Sequence, residues 1–235
     1  MRIDKLISEC GIASRKECAA VAKKSGISVD GVVEKNTARH IDPDTQTVTY
    51  LGKKVEYKRY VYVLLNKPEG YVSATEDERL PPVTDLLPPE LQKRGLFPVG
   101  RLDKDTVGVM LLTNNGPLAH SLLSPRHHVE KEYYFRAAEP LPEGVEERFA
   151  EGLTLGDGYE CKSAKIILEE GRRSGFITLT EGKYHQIKRM IASFGNKVVY
   201  LERVRFGDIC RENAPERGLW RYLTEEEEAS LVALA

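Results

Sequence analysis

The chain lacks several signatures that would settle its class at once. No apolar run approaches the roughly 20 residues of a membrane-spanning helix, and there is no GxGxxG turn, no P-loop, no HExxH helix and no CxxC pair. These absences argue against an integral membrane protein, a dinucleotide enzyme, a P-loop nucleotidase and a zinc site. The four cysteines, Cys10, Cys18, Cys161 and Cys210, are scattered, so neither a disulfide framework nor a metal cluster is expected. No cofactor and no metal are expected. The first residues, MRIDKLISECG, carry charges where a secretory leader needs an apolar core, so a cytoplasmic protein with no membrane partner is expected.

A strong excess of positive charge is also missing: the net charge is −1 over 235 residues. Its distribution is uneven. Residues 1–40 hold eight Lys/Arg against five Asp/Glu, and residues 183–221 hold nine against four. The offset lies in residues 139–160, with seven acids against Arg148, and in the run Glu225 to Glu228. Such segregation permits a basic face and an acidic back. The length leaves room for one small and one large domain with a sizeable core.

The first segment reads as helix, helix, hairpin. Leu6 and Ile7 sit in a short helix that Gly11 ends, Ser14 to Glu17 has the form of a capping box opening a second helix, and Asp30-Gly31 joins two short strands. Cys18, Ala19, Val21 and Ala22 make the apolar side of the second helix, leaving Arg15, Lys16, Lys23 and Lys24 outside. The stretches MRIDKL, SRKE and ISVDGVV, in that order, resemble the S4 RNA-binding domain. That resemblance implies that Lys5, Arg15, Lys16, Lys23 and Lys24 face phosphates; a plain solvated helix face is the alternative. Residues 1–42 are assigned to this domain, 43–58 to a linker with some strand content, and 59–235 to a second domain.

The second domain is organised around GRLDKDTVGVMLLT, Gly100 to Thr113. Val107 to Thr113 reads as a buried strand, and the polar stretch before it presents Arg101, Asp103 and Asp105 at a bend. An Asp-rich turn bonded to its own backbone would look similar. The ordered combination, however, resembles the GRLDxDTxGLLLLT signature of the pseudouridine synthases of the RsuA family, which isomerise uridine in ribosomal RNA. Three further stretches resemble motifs of the same family: LNKPEGYV from Leu65, SPRHHVEKEY from Ser124, and EGKYHQIKRM from Glu181. The ending GLWRYLTEEE is family-like too. Adjacent His127 and His128 on an extended segment point to opposite sides, so they are not read as a metal site.

The resemblance implies an α+β fold, with a mainly antiparallel sheet around a central cleft behind the S4-like domain. It implies catalysis by Asp103 as nucleophile, with Tyr133 facing the target base and Lys188 pairing with the acid. Such an adjacent cation favours the charged carboxylate and aims it. Arg189 is the second candidate for that pairing and an RNA contact. Arg101 is expected to enter the space left by an extruded nucleotide or to grip a phosphate. Asp105 is expected to fix the loop, Leu102 to be core, and His185 is given no catalytic role. Ribosomal RNA, small-subunit 16S rather than large-subunit 23S, is the expected partner of a monomeric enzyme. A non-catalytic RNA-binding module and a glycosidic hydrolase using Asp103 and Asp105 are the alternatives.

Overall fold

The computed structural model describes residues 1–124, 126–127 and 129–235. The smaller of its two units starts with α1 (Ile3–Glu9) and α2 (Arg15–Lys23). The capping box at α2 forms: the Ser14 hydroxyl accepts from the Glu17 N–H, and the Glu17 carboxylate accepts from the Ser14 N–H at 2.7 Å. Asp30 and Gly31 both take positive φ, 50° and 80°, which is the turn that the hairpin of β1 (Ile27–Val29) and β2 (Val32–Val33) requires.

Residues 43–58, expected as a linker with some strand content, do carry strands and pack into the first unit. They supply β3 (Val48–Tyr50) and β4 (Lys53–Lys54), which continue the sheet in the order β2-β1-β3-β4. The physical reason is apolar burial: Val48 and Val55 join Ile3, Leu6, Ile7, Cys18, Ala22, Ile27 and Val29 in one core. The unit therefore runs from Met1 to Val61 and also takes in Leu87–Leu96, which carries α3 (Pro89–Gln92). Arg94 ties that segment in, donating to the Glu9 carbonyl at 2.7 Å and lying 5.7 Å over the Tyr57 ring.

The larger unit, Tyr62–Leu86 with Phe97–Ala235, is built on one sheet. Its elements are β5 (Tyr62–Lys67), β6 (Phe97–Pro98), β7 (Val107–Thr113), α4 (Gly116–Leu123), β8 (Lys131–Ala137), α5 (Val145–Glu151), β9 (Lys165–Leu168), β10 (Ser174–Leu179), α6 (Gln186–Ala192), β11 (Val198–Phe206), β12 (Ile209–Cys210), β13 (Trp220–Tyr222) and α7 (Glu225–Ala233). The strands run β13-β5-β7-β11-β8-β10-β9, with β6 on β7 and β12 on β11. Of these pairings only β7 with β11 is parallel, so the α+β, mainly antiparallel class expected from the motifs holds.

All seven residues of β7 are buried, which means both faces of the sheet are covered at its centre. On one face Leu64, Val109 and Leu111 pack with Leu118, Leu122, Phe206 and Leu231. Gly108 has φ +104°, and a Cβ there would lie 2.3 Å from the Arg203 carbonyl oxygen, so the approach of β11 requires glycine. The strand β9 is short, four residues. The Lys162 N–H is taken by the Glu181 carboxylate and the Cys161 N–H by the Leu153 carbonyl, so the ladder with β10 begins only at Lys165.

Candidate active site

The loop that precedes β7 is held from below by its own backbone. Lys67, at the end of β5, is completely buried, and its ammonium reaches the carbonyls of Pro68 (3.2 Å), Asp103 (3.0 Å), Lys104 (3.3 Å) and Thr106 (2.8 Å). Burial pushes the Lys67 amine down to about 8, against the pull of Asp105 and Asp103. The Ser73 hydroxyl donates to the Leu102 carbonyl at 2.7 Å and accepts from its N–H at 2.9 Å. The Gly70 N–H donates to the Lys104 carbonyl at 2.9 Å. Leu102 is core, as expected. The Lys-Pro-Glu-Gly turn thus grips the Asp103 loop, a role its turn chemistry alone does not reveal.

From above, side chains meet at Asp103. Lys188 lies 2.9 Å from Asp103 Oδ2 and 2.6 Å from Asp105 Oδ1, so it bridges both acids. Burial by itself would lower the Lys188 amine; its hydrogen bonds with Asp105 and Asp103 outweigh that and raise it. For Asp105 burial acts upward, and the bond from Lys188 brings the carboxyl down overall. Asp103 keeps about a quarter of its side chain exposed, at 26%, so a substrate can reach it. A third group completes the cluster: His185 Nε2 is 3.5 Å from Asp103 Oδ1.

His185, given no catalytic role from the sequence, lies beside Asp103. It sits in the left-handed region, φ 50°, just before α6, and makes no capping bond with its side chain. Its ring turns to Asp103 and stacks on Tyr184, centroids 3.9 Å apart. A hint was present in its spacing of three from Lys188. α6 starts at Gln186, one residue before its apolar periodicity begins at Ile187, and side chains occupy the preceding backbone. Gln186 Oε1 accepts from the Lys183 N–H at 2.9 Å, while its amide donates to the buried Glu181 at 2.6 Å. Glu181 also accepts from the Tyr159 hydroxyl at 2.7 Å, a bond that pushes that phenol up to about 12.

Of the two basic candidates, Lys188 reaches Asp103. Arg189 instead pairs with Asp157 and donates to the Tyr184 carbonyl. Tyr133 is buried on β8, directly across from Arg203 of β11. Arg203 is itself buried, donates Nε–H to the Val109 carbonyl at 2.7 Å, and is lowered by its burial. Arg101 is exposed two residues before Asp103. Lys5, Arg15, Lys16, Lys23 and Lys24 are all exposed on the smaller unit. Of the SPRHH stretch, Pro125 and His128 lie outside the described residues; His127 Nε2 is 3.2 Å from the Ser121 hydroxyl.

Among the described residues no group of three or more His, Cys, Asp or Glu is arranged to hold a metal ion. A separate cleft of about 470 Å³ is lined by Glu130, Glu132, Glu146, Lys165, Thr178 and Arg205. Glu132 is the β8 neighbour of Tyr133 and points to the opposite face of the sheet, so this cleft is not the one at Asp103.

Comparison with known proteins bears on the same residues. The RNA pseudouridylate synthase family model matches residues 61–193. The chain is 45% identical to the RNA pseudouridine synthase YtzG of Bacillus subtilis, over 97% of this chain and 96% of that protein. It is 36% identical to the ribosomal small subunit pseudouridine synthase A of Escherichia coli K12, over 99% of this chain and 100% of that one. A crystal structure of a pseudouridylate synthase aligns with a TM-score of 0.69 at 33% identity, covering 98% and 99% of the two chains.

Proposed function

We propose, from the premise that the chain belongs to the RNA pseudouridylate synthase family and is an isomerase, that it converts a uridine of small-subunit ribosomal RNA to pseudouridine in the cytoplasm. The observation that carries the site assignment is the contact of 2.9 Å between Asp103 and Lys188 on a loop whose backbone Lys67 fixes. The near-full-length similarity to a small subunit enzyme favours that RNA over the large-subunit one.

The reaction breaks the bond from ribose C1′ to N1, turns the base, forms C1′ to C5, and moves the proton lost from C5 to solvent while N1 takes one up. Atoms balance without an oxidant or a group carrier. Asp103 is the nucleophile. Lys188 aims it, as a point charge rather than the two-pronged fork an arginine would offer. The uridine must leave its stack, at a cost of a few kcal/mol. Arg101, exposed beside the nucleophile, is suited to the vacated space or to a phosphate, and Tyr133 to the base. The basic side chains Lys5, Arg15, Lys16, Lys23 and Lys24 serve phosphate contact in an S4-like domain.

The test is incubation of the protein, without added cofactor, with unmodified 16S and 23S RNA, free and in partly assembled subunits, followed by pseudouridine mapping. One new pseudouridine in 16S RNA is expected. A new site only in 23S RNA would move the substrate; release of free uracil would replace isomerisation by hydrolysis.

A further inference from the structure

Tyr184 is 73% exposed, the most exposed aromatic among the large apolar side chains of the described residues. An aromatic ring left so open is normally mobile, yet this one is fixed. Its ring lies on the His185 imidazole at 3.9 Å and 16° between planes. Its carbonyl accepts from Arg189, which Asp157 anchors in turn. His185 is held in a backbone conformation that non-glycine residues seldom take, φ 50°, between the buried Glu181–Gln186 pair and α6.

The spacing of the two rings is that of stacked bases, and at the inner end of the column they form the edge of the imidazole reaches the nucleophile, His185 Nε2 lying 3.5 Å from Asp103 Oδ1. Its other end, the outer face of Tyr184, is open to solvent. A base laid on that face would be two ring layers from the imidazole that touches Asp103. That is too far for the reacting uridine and right for its neighbour along the strand. Lys183, exposed in the same stretch one residue before Tyr184, suits the phosphate of a nucleotide laid there.

We propose that the stacked Tyr184–His185 pair is a platform on which a nucleobase flanking the target uridine stacks when RNA binds; this rests on the function proposed above. Stacking is indifferent to which base is offered, so the site recognises a single-stranded RNA base and not a sequence. It also supplies a fixed end against which the extruded uridine is measured out to Asp103.

The experiment uses the full chain and the RNA segment that is converted, with 2-aminopurine placed in turn on either side of the target uridine. Bound to Asp103→Asn protein, one flanking probe should be quenched; the quenching should vanish when Tyr184→Ala is added and persist with Tyr184→Trp. In steady state Tyr184→Ala should raise KM by roughly ten-fold with kcat within about two-fold, and Tyr184→Phe should behave as wild type. Unchanged KM and unchanged quenching in Tyr184→Ala would overturn the platform, as would equal losses in the Phe and Ala variants, which would point to the hydroxyl. Conversion with Tyr184-independent quenching removes the platform and leaves the function standing. Tyr184-dependent quenching by a wild-type protein that converts no RNA would do the reverse.

Discussion

Two lysines serve the same loop in opposite ways. Lys67 is wholly buried and bonds to four carbonyls, three of them those of Asp103, Lys104 and Thr106. Lys188 is about a quarter exposed and binds carboxylates, those of Asp103 and Asp105. Burial dominates the first and lowers its amine to about 8; ion pairs dominate the second and raise it. The difference separates two tasks. One cation fixes where the backbone puts Asp103, and the other fixes the direction of its side chain.

The sharpest way to break this contrast is Lys67→Met, which removes the donor the four carbonyls share and leaves the Asp103 and Lys104 carbonyls only their backbone donors, the Thr106 and Gly70 N–H groups. Each buried acceptor stripped of its partner costs roughly 1–3 kcal/mol. The variant should lose at least about 3 kcal/mol in urea unfolding and all measurable activity, and near-wild-type stability would show that the buried amine is not what holds the loop. Lys188→Met comes next. Its stability should stay within about 1 kcal/mol of wild type, since the side chain is partly solvated. Its rate of pseudouridine formation should fall by roughly 10² to 10³. Lys188→Arg should recover part of that rate, and a Met variant as fast as wild type would remove the pairing role.

Ser73→Ala probes the backbone side more gently. It deletes two bonds to Leu102, so a loss of about 1–2 kcal/mol with a small fall in kcat is expected from paired urea and kinetic measurements. A loss of activity as complete as that of Lys67→Met would merge the two roles. The smallest effect concerns pH. Because Lys67 titrates near 8 when folded and at its ordinary 10.5 when unfolded, the unfolded chain holds the extra proton between those values. Stability therefore rises with pH across that window, by at most about 1.4 kcal/mol per pH unit from this group. Activity should fall over the same window as the ammonium loses a donor. The difference between wild type and Lys67→Arg in unfolding free energy at pH 8 and 9 measures the slope, and no slope in that interval would mean that the buried amine stays charged.

Much of the fold was legible because its signals are local. The capping boxes at Ser14 and Thr224, the Asp30-Gly31 hairpin and the apolar run of β7 depend on neighbours a few residues away. What escaped depends on distant ones. The strands between His40 and Lys58, expected within a linker, have little apolar content of their own and are held in the smaller unit by the core they complete. Leu87–Leu96 joins the smaller unit through Arg94, a contact that spans 85 residues to Glu9. At the site, the register of EGKYHQIKRM picked Lys188 over Arg189, and the ion pair to Asp103 agrees. The same stretch concealed His185, because the Glu181–Gln186 bond that bends the chain there is formed by side chains folding back. Lys67 was hidden in a turn motif whose usual meaning is only Pro and Gly.

The most direct test is single-turnover conversion of unmodified 16S RNA by Asp103→Asn beside wild type, with urea midpoint and RNA affinity measured on both. The expected result is matched folding and binding with pseudouridine formed by the wild type alone. A variant that converts the RNA at the wild-type rate would contradict the assignment of Asp103 as nucleophile, and with it the separate tasks of Lys67 and Lys188.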